Sequence, residues 1–123
     1  MFDPSYVLLY VENVPASAAF YSSLLEHGPV ENHPSFALFV LSSGFKLGLW
    51  AKQEVAPAAP AQVGGSELSF TVSDPKAVEA MHAAWAARGL PIDQAPTQLD
   101  FGYSFVARDP DGHRLRVFAP GDQ

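Results

Sequence analysis

The sequence predicts an α+β fold of two paired modules, each a strand, a helix and a hairpin, whose sheets join around one concave face with the helices outside. Three observations predict it. The chain has 123 residues, enough for one domain with a real core. Strand, capped helix and hairpin recur in the same order in its two halves. A stretch rich in Ala, Pro and Gly and without periodicity, residues 55–66, separates a first module at 5–54 from a second at 67–120.

The elements follow in order. Ser5 to Val11 is short, apolar and rich in β-formers, which predicts a strand. Asn13 is placed to cap the next helix, and Pro15 falls in its first turn, where a missing N–H costs nothing. Phe20 and Leu24 lie four apart on one helical face, and Gly28 is the expected stop. Phe36 to Leu41 and Phe45 to Trp50 read as a hairpin about Ser42-Ser43-Gly44. Beyond the linker, Glu67 to Val72 alternates polar and apolar residues, the period of a strand with two different faces. Asp74 and Pro75 open a second helix, Val78, Met81 and Trp85 repeat at helical spacing, and Gly89 closes it. Phe105 to Arg108, a turn at Asp109-Pro110-Asp111-Gly112, and Leu115 to Phe118 form the last hairpin.

A shift of 61 residues superposes the halves: Tyr6 falls on Glu67, Val11 on Val72, Asn13 on Asp74 and Phe20 on Met81. With small insertions Phe39 falls on Phe105, Gly44 on Gly112, Leu47 on Leu115 and Trp50 on Phe118. Identities are few, so the repeat is one of pattern.

Composition narrows the function. Apolar residues make up 48% and charged ones 16%, which excludes a disordered chain. A net charge of −6 repels phosphate backbones, so nucleic acid is not an expected partner. The absence of cysteine removes disulfides, thiolate metal sites and a Cys nucleophile. No apolar run approaches the length of a bilayer span, and Met1-Phe2-Asp3-Pro4 lacks a basic n-region. The expectation is a soluble, cytoplasmic protein without a membrane partner. No nucleophile–base arrangement, phosphate loop or HExxH appears.

Alternation assigns the faces. Leu68, Phe70, Val72, Leu47, Leu49, Leu115 and Val117 should lie under the helices. The concave side then receives Glu67, Ser69 and Thr71 from the second module and, by the symmetry of the repeat, Tyr6, Leu8 and Tyr10 from the first. It also receives Lys46, Gly48 and Trp50, with Arg114, Arg116 and Phe118.

At this point LLYVENVPASAAFYSSLL, GSELSFTVSDPKAV and FVARDPDGHRLRVF resemble, in order, the vicinal oxygen chelate superfamily of glyoxalases, extradiol dioxygenases and bleomycin-resistance proteins. Closer still is its phenazine antibiotic-resistance branch. The resemblance implies two paired βαβββ modules forming a curved, cup-like mixed sheet with helices outside. It also implies a homodimer. The superfamily's enzymes hold one divalent cation at four sheet positions, which correspond here to Tyr6, Gly48, Glu67 and Arg116. Glu67 alone is an ordinary ligand, glycine has no side chain, and arginine stays protonated. His27 at a helix end, His33 in a loop, His82 on a helix and His113 after a turn sit at none of the four. The expectation is no metal and no cofactor.

A ligand site is expected at Trp50, Tyr6, Tyr10, Gly48, Glu67, Ser69, Phe101, Tyr103, Arg116 and Phe118. Gly48 would clear floor space beside the Trp50 ring. Phe101 and Tyr103 would belong to a loop, DQAPTQLDFGYS, that closes over the site. Aromatic walls with few polar groups suit a flat apolar ring. For each aromatic residue a core role stands beside the contact role. For Glu67 and Arg116, a structural ion pair and a polar ligand anchor stand side by side. The leading expectation is metal-free sequestration of a small planar aromatic compound, with a resistance role implied by the resemblance. A small-molecule enzyme of the same fold, metal-independent or with atypical ligands, is the alternative.

Overall fold

The structure is a computed structural model describing residues 2–121. The chain divides into two compact units at Gly64 and Gly65. Each unit is a strand, a helix and three further strands, and each folds into a four-stranded mixed sheet.

In the first unit β1 is Tyr6–Val11, α1 Val14–Leu25, β2 Glu31–His33, β3 Phe36–Val40 and β4 Lys46–Ala51, with sheet order β1-β4-β3-β2. The first and last strands pair in parallel, which requires a crossover, and α1 supplies it. Asn13 starts that helix: its side-chain oxygen accepts from the Ala16 N–H at 2.9 Å. Val14, Ser17, Ala18 and Tyr21 are buried along one face, with Phe20 and Leu24 half-buried beside them. The helix packs on β3 and β4, where Phe39, Leu47 and Leu49 join Leu9 and Val11 in the core.

In the second unit β5 is Glu67–Thr71, α2 Pro75–Ala87, β6 Ile92–Leu99, β7 Gly102–Arg108 and β8 Arg114–Pro120, in order β5-β8-β7-β6. Asp74 caps α2 by accepting from the Ala77 N–H at 2.9 Å. Its end is closed by Gly89 at φ 85°, whose N–H donates to Ala86, and by Leu90, which donates back to Trp85. Trp85 stands edge-on to Phe70 and Phe105 at 5.7 and 5.4 Å between ring centres, in a core with Val78, Leu115 and Val117. In the closing turn the Asp109 carboxylate accepts from the N–H groups of Asp111 and His113, and Gly112 takes φ 90°.

Several expectations change. Helix α1 ends at Leu25 with Glu26 in the left-handed region at φ 63°, so Gly28 is not its stop. The three-residue β2 includes His33, which the sequence suggested was in a loop. Its residues, Glu-Asn-His, are all exposed at a sheet edge, so neither burial nor propensity marks them. Residues 92–99 are a strand rather than part of a closing loop. Pro96 and the register shifts in its pairing with β7 obscured it, and both are tolerated because β6 is an edge strand. In the ladders Phe39 faces Leu47 while Ala107 faces Leu115, so Ala107, not Phe105, is the equivalent of Phe39. A slip of two residues leaves every side chain on its expected face.

Two glycines separate steric roles. Gly102 lies at φ 149°, and a Cβ there would strike the backbone carbonyl of Ala119. At Gly48 a Cβ would meet the flexible end of Leu8 and the Phe36 ring. Gly102→Ala should therefore cost about 2–3 kcal/mol and Gly48→Ala about 1 kcal/mol or less, read as denaturation midpoints at unchanged m-value. Equal losses would contradict this reading.

Candidate functional site

Period two in β1 and β4 leaves one face of the first sheet free of α1. Tyr6, Leu8 and Tyr10 stand opposite Lys46, Gly48 and Trp50 on this helix-distal face. Trp50 is half-buried and stands edge-on to Tyr10 at 6.4 Å and to Phe36 at 6.5 Å. The Lys46 ammonium lies 5.3 Å from the centre of the Tyr6 ring. Gly48 does not open a floor beside Trp50: the Leu8 side chain and the Phe36 ring close over it, and it is buried. Its smallness admits those two side chains instead.

The helix-distal face of the second sheet carries Glu67, Ser69 and Thr71 on β5, with Arg114, Arg116 and Phe118 on β8. Arg116 is the hub. Its Nε donates to one Glu67 carboxylate oxygen at 3.0 Å and its guanidinium reaches the other at 3.4 Å. Its remaining amino group donates to Ser104 Oγ at 3.1 Å, and Ser69 donates to Glu67 at 3.1 Å. The Phe101 ring lies 5.6 Å beneath the guanidinium and packs edge-on against Phe118 at 5.7 Å. Burial pushes the Glu67 carboxyl up, but the hydrogen bonds from Arg116 and Ser69 and the charges of Arg116 and Arg114 outweigh it and hold it below its ordinary 4.5.

Glu67, Ser69, Arg116, Phe101 and Phe118 are therefore brought together, and Tyr6, Tyr10 and Trp50 share their own face. Tyr103 is not among them. Opposite Ala119, it points to the α2 side, where its hydroxyl donates to Glu79, and that bond first, then burial and the Glu79 charge, raises its phenol above the ordinary 10.0. Phe101 lies in the short connection between β6 and β7, so neither residue belongs to a closing loop.

The sequence reading missed β6 and with it a pocket. A hollow of about 220 Å³ on the helix-distal side of the second sheet is lined by Asp93, Gln94, Leu99, Val106, Arg114 and Arg116. The sequence carries little signal for it: polar residues and Pro96 follow Ile92, and a register shift separates Ile92 from Gln94. Alternation puts Arg114 on this face, as the ladder shows, but the expected binding set omits it.

The donor set does not fit a divalent cation. At the four ligand-equivalent positions stand a phenol, a glycine, a carboxylate with both oxygens already hydrogen-bonded, and a guanidinium. Hard cations need several convergent oxygens or imidazoles, and a fixed positive charge opposes them. Among the described residues no three His, Asp or Glu side chains gather at one point. His82 packs edge-on to Phe105 at 5.2 Å, and the buried His113 accepts from the Ser66 N–H.

Comparison with known proteins agrees with this fold. A family model described as the glyoxalase/bleomycin resistance protein/dioxygenase superfamily matches residues 4–117. A phenazine antibiotic resistance protein, EhpR, of Enterobacter agglomerans is 27% identical over 117 residues, which cover 93% of this chain and 89% of that one. The solution structure of protein ATC0852 from Agrobacterium tumefaciens is 48% identical, with a TM-score of 0.89 over 99% of this chain and all of that one. A glyoxalase/bleomycin resistance protein/dioxygenase from Nocardioides has a TM-score of 0.82 at 23% identity, over 98% of this chain and 84% of that one.

The lowered Glu67 pKa fixes a sign. A carboxyl depressed in the folded state stabilises the fold above its unfolded value of 4.5, and that contribution is lost as pH falls through the lower folded value. A carboxyl NMR titration should place the Glu67 midpoint below 4.5, and Arg116→Gln should raise it. A midpoint at or above 4.5 in the unmodified protein would overturn the clamp.

Proposed function

This chain belongs to the glyoxalase/bleomycin resistance protein/dioxygenase superfamily, and from that premise we propose that it binds a small planar aromatic compound without a metal ion. Binding removes the compound from free solution in the cytoplasm, a resistance mechanism by sequestration. The observation that carries the reading is Trp50, half-exposed on a helix-free sheet face and braced by Tyr10 and Phe36. A ring fixed in advance by edge-on neighbours loses little freedom when a flat ligand stacks on it. The second unit supports the reading with Phe101 and Phe118 beside the Arg116–Glu67 pair. The relative named for phenazine resistance lends the ligand class. The chemistry of the donor set supports a metal-free mode. The same proposal includes a homodimer: β1 and β5 each have one partner strand in their sheets, and free edges call for cover.

Phenazine is the probe. It should quench the fluorescence of Trp50, while Trp85, buried against Phe70 and Phe105, reports little. Trp50→Ala should weaken phenazine binding by roughly thirtyfold, the effect of losing an aromatic anchor worth about 2 kcal/mol. It should destabilise the fold less than Trp85→Ala, a core truncation costing about 3–5 kcal/mol. Unchanged affinity with a collapsed melting temperature would make Trp50 a packing residue and remove the proposal's support. Elemental analysis should find no stoichiometric transition metal. About one equivalent of zinc, iron, nickel or manganese per chain would refute the metal-free mode. Light scattering at micromolar concentration should give a dimer mass, and a monomer mass would count against that part.

A further inference from the structure

A second hollow lies on the opposite side of the second sheet, where α2 begins, and the proposed function makes no use of it. Gln98, Tyr103 and Ala119 form one row across β6, β7 and β8, next to the buried pair of Phe105 and Val117. At this end of the sheet Pro75, Gln98, Tyr103, Ala119, Pro120 and Gly121 surround about 210 Å³. Ala119 is buried, but Pro75, Gln98 and Pro120 are exposed and Tyr103 and Gly121 half-buried. Glu79 stands at the rim, one helical turn after Pro75, and accepts from the Tyr103 hydroxyl.

Hydrogen-bonding capacity around this hollow is one-sided. Both side-chain donors of its lining are turned to protein acceptors: Tyr103 to Glu79, and the Gln98 amide nitrogen to the Leu99 carbonyl at 3.0 Å. Pro75 and Pro120 have no N–H, and the Gly121 N–H donates to the Phe101 carbonyl. What remains is acceptors: the Tyr103 oxygen, the Gln98 amide oxygen and the Glu79 carboxylate. Among the described residues Glu79 forms no ion pair, even with Lys76 three positions earlier on the helix. The positive end of α2 does not oppose a cation here, because the Asp74 carboxylate caps it.

We propose that this hollow binds a primary alkylammonium group, its charged head on Glu79 and the Tyr103 and Gln98 oxygens and its methylene stem against Pro75, Pro120 and the Tyr103 ring. An ammonium carries three donors and no acceptor, the complement of what the surrounding groups leave open. The aromatic ring attracts the charge, and the proline rings give the stem an apolar surface that a bare metal cation would leave unused. Size points the same way. About 210 Å³ lies below the roughly 300–1,000 Å³ of sites that enclose drug-sized molecules, so the hollow takes a stem of a few carbons.

The site is independent of the aromatic-binding reading, and its test uses different probes. Pentylammonium and its neutral counterpart 1-pentanol are titrated at neutral pH, with the Tyr103 ring and Gly121 amide NMR signals as readout. Pentylammonium should move both signals along a saturable curve and bind about tenfold more tightly than pentanol, the usual return on a charged hydrogen bond, and added salt should narrow the gap. Glu79→Gln should abolish the gap. That variant keeps an acceptor for the Tyr103 hydroxyl, so its melting temperature should stay near that of the unmodified protein. Tyr103→Phe, which keeps the ring and loses the oxygen, should weaken pentylammonium about threefold, followed at Gly121. Nα-acetyl-lysine methylamide serves as the second source of the same group; tighter binding of that probe than of pentylammonium would support the site and assign its ammonium to a peptide lysine. Equal affinities for amine and alcohol, or a gap that survives Glu79→Gln, would overturn the inference. So would shifts spread equally over exposed carboxylates elsewhere, such as Glu12 and Glu54, the response of a chain of net charge −6 to any cation.

Discussion

Parallel pairing of the first and last strand in each unit is the constraint on which the rest depends. Tyr6–Val11 pairs with Lys46–Ala51, and Glu67–Thr71 with Arg114–Pro120. A parallel pair cannot be closed by a tight turn, so a helix must cross one face of the sheet, and that face must be apolar to receive it. Leu9, Val11, Leu47 and Leu49 in one unit, and Leu115 and Val117 in the other, answer that demand. Because side chains alternate, the opposite face is released from the core. Tyr6, Tyr10 and Trp50 on one sheet, and Glu67, Arg114 and Arg116 on the other, occupy the face opposite the one on which that unit's own helix packs.

What each free face does with that liberty differs. The first unit fills it with apolar and aromatic groups, and Gly48 lets Leu8 and Phe36 close the surface. The second turns it into a polar cluster. Arg116 meets the carboxylate of Glu67, the hydroxyl of Ser104 and the ring of Phe101, so most of its donors are satisfied. A pair of this kind contributes little to net stability, because desolvation offsets much of the attraction. Its consequence is geometric: it occupies the carboxylate oxygens that metal ligation would need. One repeated framework thus carries two chemistries.

Local rules explain which parts of this were legible in the sequence. The caps at Asn13 and Asp74, the close at Gly89 and the turn from Asp109 to Gly112 rest on side-chain and backbone chemistry within a few residues, and each forms as those residues dictate. Alternation in Glu67–Thr71 was equally plain, since a strand half-covered by a helix must be apolar at every second position, and the repeat carried those faces over to the uniformly apolar Tyr6–Val11. The edge strands at the other side of each sheet, β2 and β6, obey no such rule. Glu31–His33 and Ile92–Leu99 each have one partner strand and little apolar burial, so exposed polar residues and even Pro96 are admitted.

By itself, then, the sequence determined the repeat, the order of strands and helices on either side of residues 55–66, and the face on which nearly every strand residue lies. These follow from periodicity and capping, which act over a turn of helix or two strand positions. Tertiary structure alone decided how side chains far apart in the chain meet: Arg116 with Glu67 across 49 residues, Tyr103 with Glu79 on the helix side, Leu8 over Gly48, and Asp93 and Gln94 beside Arg114. The physical reason is register. Parity gives each residue a face, but only the hydrogen-bonded ladder fixes its neighbours. A slip of two, as between Phe39 and Ala107, preserves the face while changing every contact on it.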